Sequence, residues 1–178
     1  MAKWGGGGSL PPKSNSVQLL KGAIGGFFGI LLLGYLGETT GDPWLMAPFG
    51  ATCVLLFTVP SSPLAQPRNV IGGHLTTAAI GLLALYSLGD AIWVMALAVA
   101  ISILLMQLLR TIHPPAGANP LLIILAGKQV VDVSFLLTPV LVGSVLLVIL
   151  AALVNNWGRE SWPVYWHGIR RQRREDEA

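Results

Sequence analysis

The chain has 178 residues, of which 53% are hydrophobic and 11% charged, and its formal net charge is +3 at pH 7. A soluble domain normally carries about 25% charged residues, and the mean hydropathy here is +0.68. These figures exclude a soluble enzyme, a nucleic-acid binder and a disordered chain, and leave one small all-helical integral membrane domain.

Residues 1–16 are rich in Gly, Pro and Ser and read as a flexible tail without the pattern of a secretory signal. The run Gly5–Gly8 lacks a preceding strand and a following GK[ST], so it is not a phosphate loop. Six charge-free stretches follow: Gly22–Gly37, Pro43–Pro67, Asn69–Gly89, Ala91–Leu109, Thr111–Gly127 and Val133–Gly158. A helix needs roughly 20 apolar residues to cross about 30 Å of hydrocarbon. Val17–Gly37, Val70–Leu88, Ala91–Leu109 and Phe135–Val154 read as continuous membrane helices. In the first, Gly22, Gly26 and Gly29 form a small-residue face suited to close packing or to self-association into a homo-oligomer. Cys53, the single cysteine, reads as a small buried hydrophobe.

The other two stretches are interrupted by prolines and glycines. The clean apolar run is Cys53–Val59 in one and Leu121–Ala126 in the other, each too short to span a bilayer as a helix. Pro48-Phe49-Gly50-Ala51-Thr52 precedes the first run and Pro115-Ala116-Gly117-Ala118-Asn119 precedes the second, in matching register. The chain therefore reads as a twofold repeat of helix, broken segment, helix, with halves at about 17–88 and 91–155. If both broken segments cross the membrane, all eleven Lys and Arg residues except Lys128 fall on the cytoplasmic side. Three crossings per unit then make the halves inverted, with both termini cytoplasmic. Residues 156–178 form a tail in which Trp157, Trp162, Tyr165 and Trp166 read as an interfacial aromatic belt ahead of the basic cluster Arg170–Arg174.

Irregular backbone at membrane depth is tolerated against protein or along a wet cavity. The expectation is that Thr52 and Asn119 cap two short helices whose N-termini face each other near the midplane. A helix N-terminus carries about half a positive charge and unpaired N–H donors. Two of them would bind a small anion through Gly50, Ala51, Thr52, Gly117, Ala118 and Asn119, the glycines allowing close backbone approach. His113, before Pro114-Pro115, would add hydrogen bonding or protonation. His74 inside the membrane, with Arg68, Asn69 and Arg110 at the cytoplasmic mouth, would recruit or gate the ion. Glu38, Asp42, Asp90 and Asp132 sit at predicted outer ends where water hydrates them, and the tail His167 has no site around it. Nothing in the pattern marks an enzyme, a metal site or a cofactor.

The segments Ala47–Thr52, Gln66–His74 and above all His113-Pro114-Pro115-Ala116-Gly117-Ala118-Asn119-Pro120 resemble the HPP family of integral membrane proteins, over roughly residues 17–155. The family is usually described with four transmembrane helices, and members in cyanobacteria and chloroplasts are implicated in nitrite transport. The resemblance therefore implies anion transport with nitrite as the natural candidate, in the plasma membrane (the inner membrane of a bacterium). A non-transporting membrane scaffold or sensor subunit is the alternative.

Overall fold

The computed structural model describes residues 9–158 and 161–166, and the regular structure in that part is helical. Gly5–Gly8, Arg159, His167 and Arg170–Arg174 lie outside the described residues. Helix α1 (Ser16–Thr40) starts where the Asn15 side chain accepts the Gln18 N–H at 2.8 Å and stops at Gly41, whose φ of 78° is left-handed. It buries Lys21, Gly25, Gly29 and Leu33, one residue per turn. Phe27, Phe28, Leu31 and Tyr35 remain exposed on its outer side, where lipid solvates them.

Helix α2 (Ala47–Thr58) begins several residues before the expected start at Thr52. Pro48 stands in its first turn, where a missing N–H has no intrahelical partner to lose, and Gly50 does not interrupt it. The residues Ala47–Ala51, expected as irregular backbone ahead of a cap at Thr52, are therefore helical. A turn of 3-10 helix (Pro63–Ala65) leads into α3 (Pro67–Leu88). Helix α3 is the hub: it packs against α4 (Ile92–Leu108), against α5 (Asn119–Ala126) and against the final helix. The chain leaves α4 through Arg110 in a left-handed conformation (φ 56°) and crosses back as extended backbone and a 3-10 turn (Pro114–Ala118) before α5.

The last helix is two geometries in series. Leu136–Val142 is a π-helical turn containing Pro139, and it continues directly into α6 (Gly143–Asn155). The wider turn absorbs the proline that an α-helix interior would not. Three helices, Ser16–Thr40, Pro67–Leu88 and Leu136–Asn155, are long and apolar enough to cross a membrane. Helix α4 at 17 residues falls short of that length, as do α2 and Pro114–Ala126, although all are apolar.

Glycine sets the interhelical distances. A Cβ on Gly25 would stand 2.3 Å from the Phe57 ring, and one on Gly143 would stand 2.6 Å from the Phe49 ring. Gly29 is pressed against Cys53 and Leu147, whereas Gly26 has open space around it. The expected Gly22, Gly26, Gly29 surface is thus divided. Gly29 packs inside against α2 and α6, Gly22 lies against the Phe57 carbonyl, and Gly26 alone of the three is open. Gly25→Ala should lower the midpoint of thermal unfolding in detergent, with overpacking taking about 1–3 kcal/mol. Gly26→Ala one residue away should leave the midpoint unchanged or raise it.

Candidate functional site

The two interrupted segments meet on α3. Pro114 and Pro115 hold His113 extended (φ −139°, ψ 97°). Gly72 and Gly73 are the reason the extended segment Thr111–His113 fits. A Cβ on Gly72 would stand 2.8 Å from Thr111 Cγ2, and one on Gly73 would stand 2.8 Å from His113 Cβ. Docking against these glycines sets the His113 ring 5.0 Å, centroid to centroid, from the ring of the next residue on α3, His74. Phe49 covers His74 edge-on at 4.9 Å.

Thr52 joins the two rings. Its Oγ1 lies 2.8 Å from His74 Nε2, 2.9 Å from His113 Nε2 and 3.0 Å from the Pro48 carbonyl oxygen. The far nitrogen of each imidazole is also engaged. His113 Nδ1 lies 2.8 Å from the Leu64 carbonyl oxygen. Asn119 Nδ2 lies 3.0 Å from His74 Nδ1, 3.2 Å from the His74 carbonyl oxygen and 3.0 Å from Thr77 Oγ1. Thr52, His74, Thr77 and His113 are fully buried and Asn119 is 1% exposed. Asn119 Oδ1 is buried with no hydrogen-bond partner.

The partners fix the protons. A carbonyl only accepts, so His113 carries its proton on Nδ1, and its neutral Nε2 is an acceptor. An amide nitrogen only donates, so His74 Nδ1 accepts and Nε2 carries the proton. In the neutral state the hydrogen bonds run one way. Asn119 donates to His74, His74 to Thr52, Thr52 to His113 and His113 to Leu64.

Several expected roles change. Thr52 is not a helix cap; Met46 holds that position, and Thr52 lies within α2 with its hydroxyl turned into the protein. Asn119 is the first residue of α5 rather than its cap, and its side chain reaches sideways to α3. Of the amides expected to face an anion, that of Gly50 already donates to the Met46 carbonyl and that of Asn119 to the Ala116 carbonyl. The 3-10 geometry ahead of α5 uses up donors that an abrupt helix start would leave open. Ala51 and Ala118 face away from the junction, where with Ala47, Pro48, Val54, Leu55, Pro114 and Pro115 they line an apolar surface groove of about 530 Å³. Gly50 and Gly117 are half-buried and have open space where a Cβ would stand.

Arg68, Asn69 and Arg110 are not drawn into the junction. Arg68 Nη2 donates to the Leu109 carbonyl at 3.0 Å and Asn69 Nδ2 to the Ile112 carbonyl at 2.9 Å, which ties the start of α3 to the end of α4 and to the extended segment after it. Arg110 is exposed. Trp162 and Tyr165 depart from the expected aromatic belt. Trp162 is buried, and the Tyr165 hydroxyl donates to Asn69 Oδ1 at 3.0 Å. Val164 N–H donates to Gln66 Oε1 at 2.8 Å, so this segment folds back over the start of α3. Thr77 was not among the expected site residues. Its signal is its place three residues after His74, on the same helix face. The Leu64 carbonyl has no signal in the sequence. Among the described residues no three His, Cys, Asp or Glu side chains converge to hold a metal ion.

Nitrogen-15 spectra of histidine-labelled protein at neutral pH should show His113 protonated on Nδ1 and His74 on Nε2. The same tautomer on both rings would contradict the bonding assigned here.

The model of the HPP transmembrane region matches residues 11–163. A transmembrane protein of Dictyostelium discoideum is 33% identical over 174 residues, covering 92% of this chain and 56% of the relative. A second transmembrane protein of that organism is 39% identical over 128 residues, covering 68% of this chain and 45% of the relative. The chain thus spans about half the length of the curated relatives it matches. No solved structure matches it. With a family match that includes the His113-Pro114-Pro115 turn and both segments of the junction, the chain belongs to the HPP transmembrane family.

Proposed function

We propose that this membrane protein is a carrier or channel for a small monovalent anion, nitrite first among the candidates, and that the anion binds at the Thr52–His74–His113–Asn119 junction. The observation that carries the reading is the burial of that hydrogen-bonded junction, with two histidines at its centre, where the two interrupted segments meet inside the helical bundle. Polar side chains at membrane depth mark substrate and ion pathways. A monoanion such as nitrite accepts hydrogen bonds and donates none. Donors to it would come from the Asn119 amide and the His74 Nε2–H, which would exchange their present partners in the junction for the anion. Arg68 and Arg110, near the start of α3 and the end of α4, would raise the local anion concentration at that end.

The packing supports an architecture of four crossings and two half-crossings related by an inverted repeat. Helix α1 packs on α2 and α6, and α4 packs on α5 and α3. Exchanging the halves converts the first set of pairs into the second. Thr52 and Asn119 are then equivalent residues, and they hold the two nitrogens of one imidazole, that of His74. Basic residues concentrated at one end support cytoplasmic termini in a plasma membrane. The near-saturated hydrogen bonding favours a second reading, a non-transporting scaffold or sensor subunit in which the junction only locks α2, α3 and α5 together.

Liposomes containing the full chain should take up nitrite faster than empty liposomes. Asn119→Leu should slow that uptake by about tenfold, the equivalent of one lost buried hydrogen bond, while the protein elutes as wild type. Uptake equal to empty vesicles would overturn the transport reading and favour the scaffold.

A further inference from the structure

A monoanion entering a dry junction needs a compensating charge, because an isolated buried ion is strongly disfavoured. Among the described residues, the sources are few. The turns Pro63–Ala65 and Pro114–Ala118 and the helices α4, α5 and Leu136–Asn155 contain no ionisable side chain. Helix α2 offers Cys53, which lies against Gly29 of α1. Helix α3 offers Arg68, exposed at its first turn and bonded to the Leu109 carbonyl, and Tyr86, exposed near its end. Helix α1 offers Lys21, whose Nζ donates to the Asn155 carbonyl, and the exposed Tyr35 and Glu38, and Arg110 after α4 is exposed. That leaves the two imidazoles.

They are not equivalent. His74 Nδ1 already receives an Asn119 N–H, so a proton there would meet a donor. His113 Nε2 faces only the Thr52 hydroxyl, which can turn. Thr52 Oγ1 has three neighbours: two imidazole nitrogens and the Pro48 carbonyl. A hydroxyl has one proton and two lone pairs. When His113 is neutral, the hydroxyl donates to His113 Nε2. When His113 is doubly protonated, the hydroxyl turns to donate to the Pro48 carbonyl and accepts N–H from both rings. All three contacts are then satisfied.

We infer that His113 Nε2 is a proton-binding site with the Thr52 hydroxyl as its switch, and that the anion is carried together with one proton. The proton-anion coupling rests on the transport reading above; the proton site does not. The step balances. The O–H bond of the neutral acid HA breaks, an N–H bond forms at His113 Nε2, and A⁻ remains beside the imidazolium. The reverse transfer at release leaves no net charge moved. Thr52 is a positioning residue in this step, because it acts through His113.

Two experiments on the full chain test this. In liposomes loaded with a fluorescent pH indicator, nitrite uptake above that of empty vesicles should be driven by an inside-alkaline pH gradient and be insensitive to a potassium diffusion potential. Thr52→Ser should keep proton-linked uptake within about twofold, whereas Thr52→Val and His113→Gln should each lower it by about tenfold. Uptake that follows the potential without proton movement would overturn the coupling and leave anion transport standing. Full proton-linked uptake by either substituted protein would overturn the assignment to His113 and Thr52. If no nitrite moves at all, the transport reading and the coupling fall, and nitrogen-15 titration of the wild-type histidines decides the proton site. His113 should gain its second N–H before His74 on acidification, and His74 gaining it first would overturn the site.

Discussion

A polar side chain inside an apolar bundle has no water to pair with, so the protein must supply every partner it has. In this chain the constraint is concentrated at one imidazole. His74 is fully buried, and each of its ring nitrogens is met from a different direction, by Thr52 of α2 and by Asn119 of α5. Those two residues follow the Pro-x-Gly-Ala sequences of the two halves. Holding both to one ring fixes where each interrupted segment lies relative to α3. The same requirement orients His113, whose two nitrogens are taken by Thr52 and by the Leu64 carbonyl.

Close packing makes that geometry reachable. Short side-chain hydrogen bonds across three helices need backbones near one another, and glycine supplies the space. Gly72 and Gly73 admit the extended segment Thr111–His113 beside His74, and Gly81 admits the start of α5, with Pro120 Cα 2.9 Å from where its Cβ would stand. Gly25 and Gly143 seat the Phe57 and Phe49 rings of α2 against the outer helices. Phe49 in turn covers His74. The small residues therefore act on the site through the aromatic rings they receive, and the hydrophobic effect between helices, absent in lipid, is replaced by contact and hydrogen bonding.

Much of this is written in the sequence, though unevenly. The long helices α1 and α3 and the last, Leu136–Asn155, follow from charge-free windows because lipid imposes length and apolarity. The offset of 67 residues between Pro48 and Pro115 marks Thr52 and Asn119 as a pair. Neither residue is a cap: Met46 and Ala118 hold those positions. Pro48 is compatible with a helix start, so α2 begins before it reaches Thr52, and a 3-10 turn precedes Asn119. What the two residues hold depends on which helix passes between them, and no local pattern encodes that. The Leu64 carbonyl is illegible for a simpler reason: every residue has a carbonyl. Trp162 and Tyr165 satisfy the composition of an interfacial belt, yet here they fold back toward Gln66 and Asn69, whose polar groups offered partners.

The dependence of the two half-segments on one imidazole is open to direct measurement by a double-mutant cycle. Unfolding free energies in detergent micelles would be compared for wild type, Thr52→Val, Asn119→Leu and the combined variant. If both act through His74, the second substitution should add less than it does alone, with a coupling of about 1 kcal/mol or more. Losses that add to within about 0.5 kcal/mol would show the two contacts to be independent, and would contradict a single junction holding the two segments together.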